Sequence, residues 1–130
     1  MKKIIPLIAP ILFLTFGFFL IGQALPKSLM DQWEDVESEI KKGLPKTAIE
    51  KIDPLIKQAL KDGSHAVAIR AIGQKINLEG AVEGNKAEEK IARLEDEITK
   101  APEALKPMMR AVLSNWYWQY FQQNRWRFAQ

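Results

Sequence analysis

Residues 46–78, KTAIEKIDPLIKQALKDGSHAVAIRAIGQKINL, decide the fold class of this chain. Ile49, Ile52, Ile56, Ala59 and Leu60 recur at the three-to-four-residue spacing that gathers side chains on one face of a helix, here about 46–61. Asp62-Gly63 stops that helix, and Ser64 supplies a hydroxyl suited to capping the next one. The following run, about 64–78, is apolar nearly all round: Ala66, Val67, Ala68, Ile69, Ala71, Ile72 and Ile76. Small residues mixed with Ile suit a helix packed closely between neighbours, so this one is expected at the centre of the fold. Pro54 lies inside the first of the two helices. It predicts a kink, or a break after Asp53, because it removes one backbone donor and crowds the preceding turn. Together the pair reads as an antiparallel hairpin, like one unit of a helical repeat. One unit is not an array, since solenoids need about three to bury a continuous core.

Outward from this hairpin the pattern stays helical. Upstream, Leu29, Trp33, Val36 and Ile40 form a single stripe over residues 28–42, and Gly43 ends it in the manner of a helix C-terminus. Downstream, Gly80 and Gly84 bracket a loop, and Asn85-x-x-Glu88 resembles a helix-start cap. Ala87, Ile91, Leu94 and Ile98 make a narrow stripe over 86–100. A fifth helix opens around Thr99 to Pro102, with Pro107 kinking or delaying it. Its face is Leu105, Met109, Val112, Leu113, Trp116 and Tyr120. No segment of the body of the chain alternates as a strand. The expected fold is all-α, about five helices in an orthogonal or superhelical, helical-repeat-like bundle over residues 25–130.

Residues 1–24 are read differently. Met1-Lys2-Lys3 starts the chain with positive charge, Ile4 to Ile21 is uncharged, and Gly22-Gln23-Ala24 places small residues where a signal peptidase cuts. This is the pattern of a signal peptide. An uncleaved N-terminal membrane anchor is the alternative, weakened by Pro6 and Pro10. Either reading predicts export to the periplasm or cell envelope.

Composition narrows the chemistry. Of 19 basic residues, Lys2 and Lys3 belong to the leading segment, which leaves 17 against 16 acids. That balance gives no nucleic-acid footprint. The absence of Cys excludes a disulfide framework and a Cys-linked lipid anchor. His65 is the sole histidine, so no multi-histidine metal site exists, and it reads as a solvated helix-start residue rather than a catalytic one. Glu37 with Glu39, Glu88 with Glu89 and Asp96 with Glu97 are the only acid pairs of interest. All fall among lysines on charged helices, where pairing along the helix explains them. The loop Glu79-Gly80-Ala81-Val82-Glu83-Gly84 carries acids where a phosphate would need donors. No catalytic residue, cofactor or metal is expected.

The end of the chain is the exception to this plainness. Seven aromatic residues lie within the thirteen from Trp116 to Phe128. Trp116 and Tyr120 keep the core spacing, whereas Trp118, Trp126 and Phe128 fall off it. Arg125 and Arg127 alternate with Trp126 and Phe128, a pattern that suits cation–π stacking, a membrane interface or a docking strand entering a β domain. Trp118, Arg125, Trp126, Arg127 and Phe128 are therefore the expected interface.

Gly43-Leu44-Pro45-Lys46-Thr47-Ala48-Ile49-Glu50, the aliphatic hairpin, and Trp116-Tyr117-Trp118-Gln119-Tyr120-Phe121-Gln122-Gln123-Asn124-Arg125-Trp126-Arg127-Phe128 resemble the N-terminal helical region of large bacterial alpha-2-macroglobulin-like proteins. The resemblance covers about Trp33 to Phe128. It implies an exported, anchored or periplasmic protein in which such a module precedes β-sandwich macroglobulin domains, a bait segment and often a Cys–Gln thioester that together trap proteases. No thioester residue carries over, because this chain has no Cys. What the resemblance implies is a non-enzymatic leading module, as a fragment or split product, with the aromatic motif as its joint. The partners expected are downstream macroglobulin-type domains or another envelope protein, with membrane contact through the N-terminal segment. A free-standing helical-repeat adaptor, binding a peptide in the groove of the first three helices, is the competing expectation.

Overall fold

The computed structural model describes residues 27–129, and the signal-peptide or anchor reading of residues 1–24 lies outside them. Six helices follow one another among the described residues: α1 Leu29–Lys41, α2 Pro45–Lys61, α3 His65–Glu83, α4 Ala87–Lys100, α5 Lys106–Gln123 and the single turn α6 Arg125–Phe128. The protein is all-α, a helical bundle in which each of α2 to α5 packs most heavily on its neighbours in sequence. This is the habit of stacked helical hairpins, where contacts are local along the chain.

Local chemistry sets the boundaries. Ser28 and Asp31 form a reciprocal capping box at the start of α1, with the Asp31 amide donating to Ser28 Oγ at 3.1 Å. Gly43 (φ +74°) turns the chain between α1 and α2, in a backbone region that costs an L side chain strain. Pro54 does not break α2. Both Pro54 and Glu50, whose carbonyl loses its donor, are exposed, and the cost of an orphaned backbone oxygen is high only where it is buried away from water. The N-cap expected at Asn85 is displaced. Asn85 adopts φ +58° in the turn after α3, and Lys86 occupies the cap position without a side-chain bond. Ser64 caps α3 in position but makes no side-chain hydrogen bond. The fifth helix begins later than its sequence pattern suggests. Pro102 sits in a turn closed by the Leu105 amide donating to the Pro102 carbonyl, and α5 starts at Lys106. Pro107 thus falls in the first turn, where a missing N–H breaks no helical bond.

The core has two parts that share α3. Val36, Ala48, Ile52 and Leu55 meet Ala71 and Leu78 on one side. Ala68, Ile69, Ile72 and Ile76 meet Ala59, Leu94, Ile98, Leu105 and Met109 on the other. A helix apolar all round is what this double contact requires, and α3 is the centre of the bundle as its sequence predicts. Glu39 departs from expectation. It is buried rather than on a polar face, and it accepts from Lys51 Nζ at 2.7 Å and Lys42 Nζ at 3.2 Å. Charged partners are what make burial of a carboxylate tolerable.

Candidate functional site

Helix α5 divides the aromatic residues between two directions. Leu105 and Met109 are buried, and Val112, Leu113 and Trp116 pack against the core they join. Trp116 lies over Gly73 of α3, where a Cβ would stand 3.9 Å from the ring. Tyr117 and Tyr120 bind sideways to α4. Their hydroxyls donate to Glu95 Oε1 and Glu88 Oε1, each at 2.7 Å. The two glutamates are seven residues apart, two helical turns, so they form one acidic edge that receives two phenols. Each tyrosine ionises above its ordinary value because the bonded carboxylate favours the neutral phenol. Glu88 is held below the ordinary glutamate range, first by the Tyr120 bond and then by its own backbone amide and Arg127.

The remaining rings face away from the bundle. Trp118 is 60% exposed, Trp126 68% and Phe128 58%. Phe121 lies between them: its ring centroid is 5.8 Å from Trp118 and 5.7 Å from Phe128, with interplanar angles of 29°. Such offset contacts add about 0.5–1.5 kcal/mol each beyond simple burial. The stack folds α6 back onto α5 and produces an open aromatic surface on Tyr117, Trp118, Phe121 and Phe128.

Residues 125–128 are helical, not an extended docking strand. The reversal at Asn124 is the physical cause. Its amide donates to the Tyr120 and Phe121 carbonyls, its side chain donates to the Tyr120 carbonyl, and the Arg127 amide donates to the Asn124 carbonyl. Arg127, expected at the interface, turns inward, donates to Tyr120 Oη at 3.3 Å and pairs with Glu88 at 3.6 Å. Arg125 stays exposed. Of the five residues expected at the interface, Trp118, Arg125, Trp126 and Phe128 thus share the solvent side, and Arg127 serves as a clamp between α6 and α4. Phe121 was missed by sequence reasoning, although it follows Trp118 by three residues and so shares its face.

A second apolar feature lies between α1 and α3, where Leu29, Met30, Trp33, Val67 and Arg70 line a cleft of about 360 Å³. The Arg70 guanidinium sits 4.0 Å above the Trp33 ring. Trp33 Nε1 donates to Glu37 Oε1 at 2.6 Å, which fixes the indole. A third groove, between α2, α3 and α4, is lined by Asp53, Glu79, Glu83, Asp96 and Glu97 against Lys57, Lys75 and Arg93, so acids outnumber bases there. Lys75 pairs with Asp53 at 2.7 Å, and Arg93 pairs with Glu79 and Glu83. Glu89 is paired with Lys86, and Asp96 with Lys100. Among the described residues no cluster of His, Asp or Glu is arranged to hold a metal ion, and no helix is long and apolar enough to cross a membrane.

Comparison with known proteins found no matching family model, curated protein or solved structure.

Proposed function

We propose that this chain is a non-catalytic docking module of the cell envelope that engages a protein partner through the exposed aromatic face of α5 and α6. One observation carries the reading: Trp118, Phe121 and Phe128 stack on one another in solvent rather than in the core. Large rings held rigid and exposed lose little conformational entropy on binding, and buried aromatic anchors of this kind dominate interfaces at roughly 2 kcal/mol or more each. The resemblance to the leading helical region of alpha-2-macroglobulin-like proteins supports export and offers a macroglobulin-type domain as partner. The α1–α3 cleft favours a second reading, an adaptor that takes a peptide there.

Alanine replacement of the exposed tryptophans tests the docking reading. Trp118→Ala and Trp126→Ala leave helical content intact and shift stability by no more than about 1 kcal/mol, as expected for surface sites. A loss of several kcal/mol, the cost of deleting a buried aromatic ring, would place these rings in a core and end the proposal.

A further inference from the structure

The two ends of the helix stack are complementary to each other. From Lys106 to Gln130 the chain carries Lys106, Arg110, Arg125 and Arg127 and no acidic residue. Lys106 pairs with Glu103 and Arg127 with Glu88, whereas Arg110 and Arg125 are exposed and make no ion pair among the described residues. At the other end, α1 holds Asp31, Glu34, Asp35, Glu37 and Glu39 against Lys41. Asp35, Glu37 and Glu39 are paired with Lys27, Arg70, Lys42 and Lys51. Asp31 and Glu34 are exposed and make no ion pair among the described residues. Beside them lie Met30, 72% exposed, and the apolar cleft over Trp33.

We infer that the partner of the aromatic face is a second copy of this chain, whose α1 end receives it. Trp118, Phe121 and Phe128 of one copy cover Met30 and the Leu29–Trp33–Val67 cleft of the next, and Arg110 and Arg125 face Asp31 and Glu34. The cleft, about 360 Å³, has room for an aromatic side chain. An isologous pairing of α5 with α5 is disfavoured, because it would bring four unpaired arginines together with no acid between them, and like charges across an interface are costly. A head-to-tail contact of this type closes into a ring or propagates as a filament.

This inference rests on the docking reading and names its partner, and the absence of native Cys makes the test direct. Two full-length variants, Met30→Cys and Ser114→Cys, are co-expressed and oxidised with diamide. The expected result is a mixed disulfide between the two variants and none from either alone, lost at least fivefold when Trp118→Ala is added to the Ser114→Cys copy and kept with Lys57→Ala. Cross-linking of Ser114→Cys to itself, or no cross-link at any concentration, overturns the second-copy partner. So does retention on phosphatidylglycerol vesicles without cross-linking, which would make the partner a lipid surface. A negative cross-link with unchanged stability of the tryptophan variants leaves the docking reading standing, whereas a large loss of stability removes both.

Discussion

Met108 and Met109 are chemically identical neighbours on α5, and the fold predicts opposite consequences for removing them. Met109 is fully buried in the seam between α3, α4 and α5, whereas Met108 is 48% exposed on the outer side. Truncating a fully buried Met to Ala removes its transfer free energy and leaves a cavity the seam closes only in part, a cost of about 2–5 kcal/mol. At Met108 about half of the transfer contribution is already absent, no sealed cavity forms, and Ala is the slightly better helix former. The expected cost there is below about 1 kcal/mol. The difference of about 2 kcal/mol is roughly thirtyfold in the folding equilibrium. At about 4–8 °C per kcal/mol for a domain of this size, the melting temperatures of Met109→Ala and Met108→Ala should differ by about 8–16 °C. Thermal melts by far-UV circular dichroism, checked by urea titration, measure this directly. Equal shifts, or the reverse order, would mean that α5 is rotated from its described orientation. The aromatic face would then point into the bundle.

Gly73→Ala should stabilise the protein by about 0.5–1 kcal/mol, because the site is helical and the new methyl group meets Trp116 at ordinary contact distance; a melting temperature below that of the parent refutes this. Acid should weaken the fold through Glu39, whose carboxyl is held below its ordinary 4.5 first by the Lys51 bond and then by Lys42, against the opposing effect of burial. Its folded-state pKa is depressed, so the stabilisation is complete above about pH 4.5 and is lost as pH falls through the folded value. Urea midpoints measured down the acid limb should therefore decline less steeply for Glu39→Gln than for the parent. Ultraviolet titration should find Tyr120 ionising above pH 10, and Glu88→Gln should move that step downward by removing the carboxylate that raises it, first through its hydrogen bond and then through its charge. An unchanged titration would mean that the α4–α5 bond is not formed in solution. Acrylamide quenching should be reduced more by replacing Trp118 and Trp126 with Phe than by replacing Trp33 and Trp116, which are half-buried.

The helical type and the five longer helices were legible in the chain, because periodicity and Gly or Pro punctuation act within a few residues; α3, however, runs through Gly80 to Glu83 where a loop was expected, and the short α6 is a sixth helix. The centrality of α3 followed from apolar residues on every side, and the inner face of α5 from the spacing of Leu105, Met109 and Trp116. What only the tertiary structure decided depends on partners far apart in sequence. Glu39 reads as one more surface acid until Lys51, on the next helix, closes over it. Arg127 reads as an interface cation until the reversal at Asn124 brings it onto Glu88 and Tyr120, and residues 125–128 become a helical turn instead of a strand. Alternating side chains are compatible with either backbone when the segment is only four residues long. The choice between them falls to the hydrogen bonds at Asn124, the Arg127 pair with Glu88 and the stacking of Phe128 on Phe121, none of which the alternation encodes. The aromatic cluster, with Trp116 on the core spacing and Trp118, Trp126 and Phe128 off it, was visible in the sequence. The packing of α5 against α3 and α4 added that Tyr120 turns sideways onto Glu88 and that Phe121 joins the exposed stack.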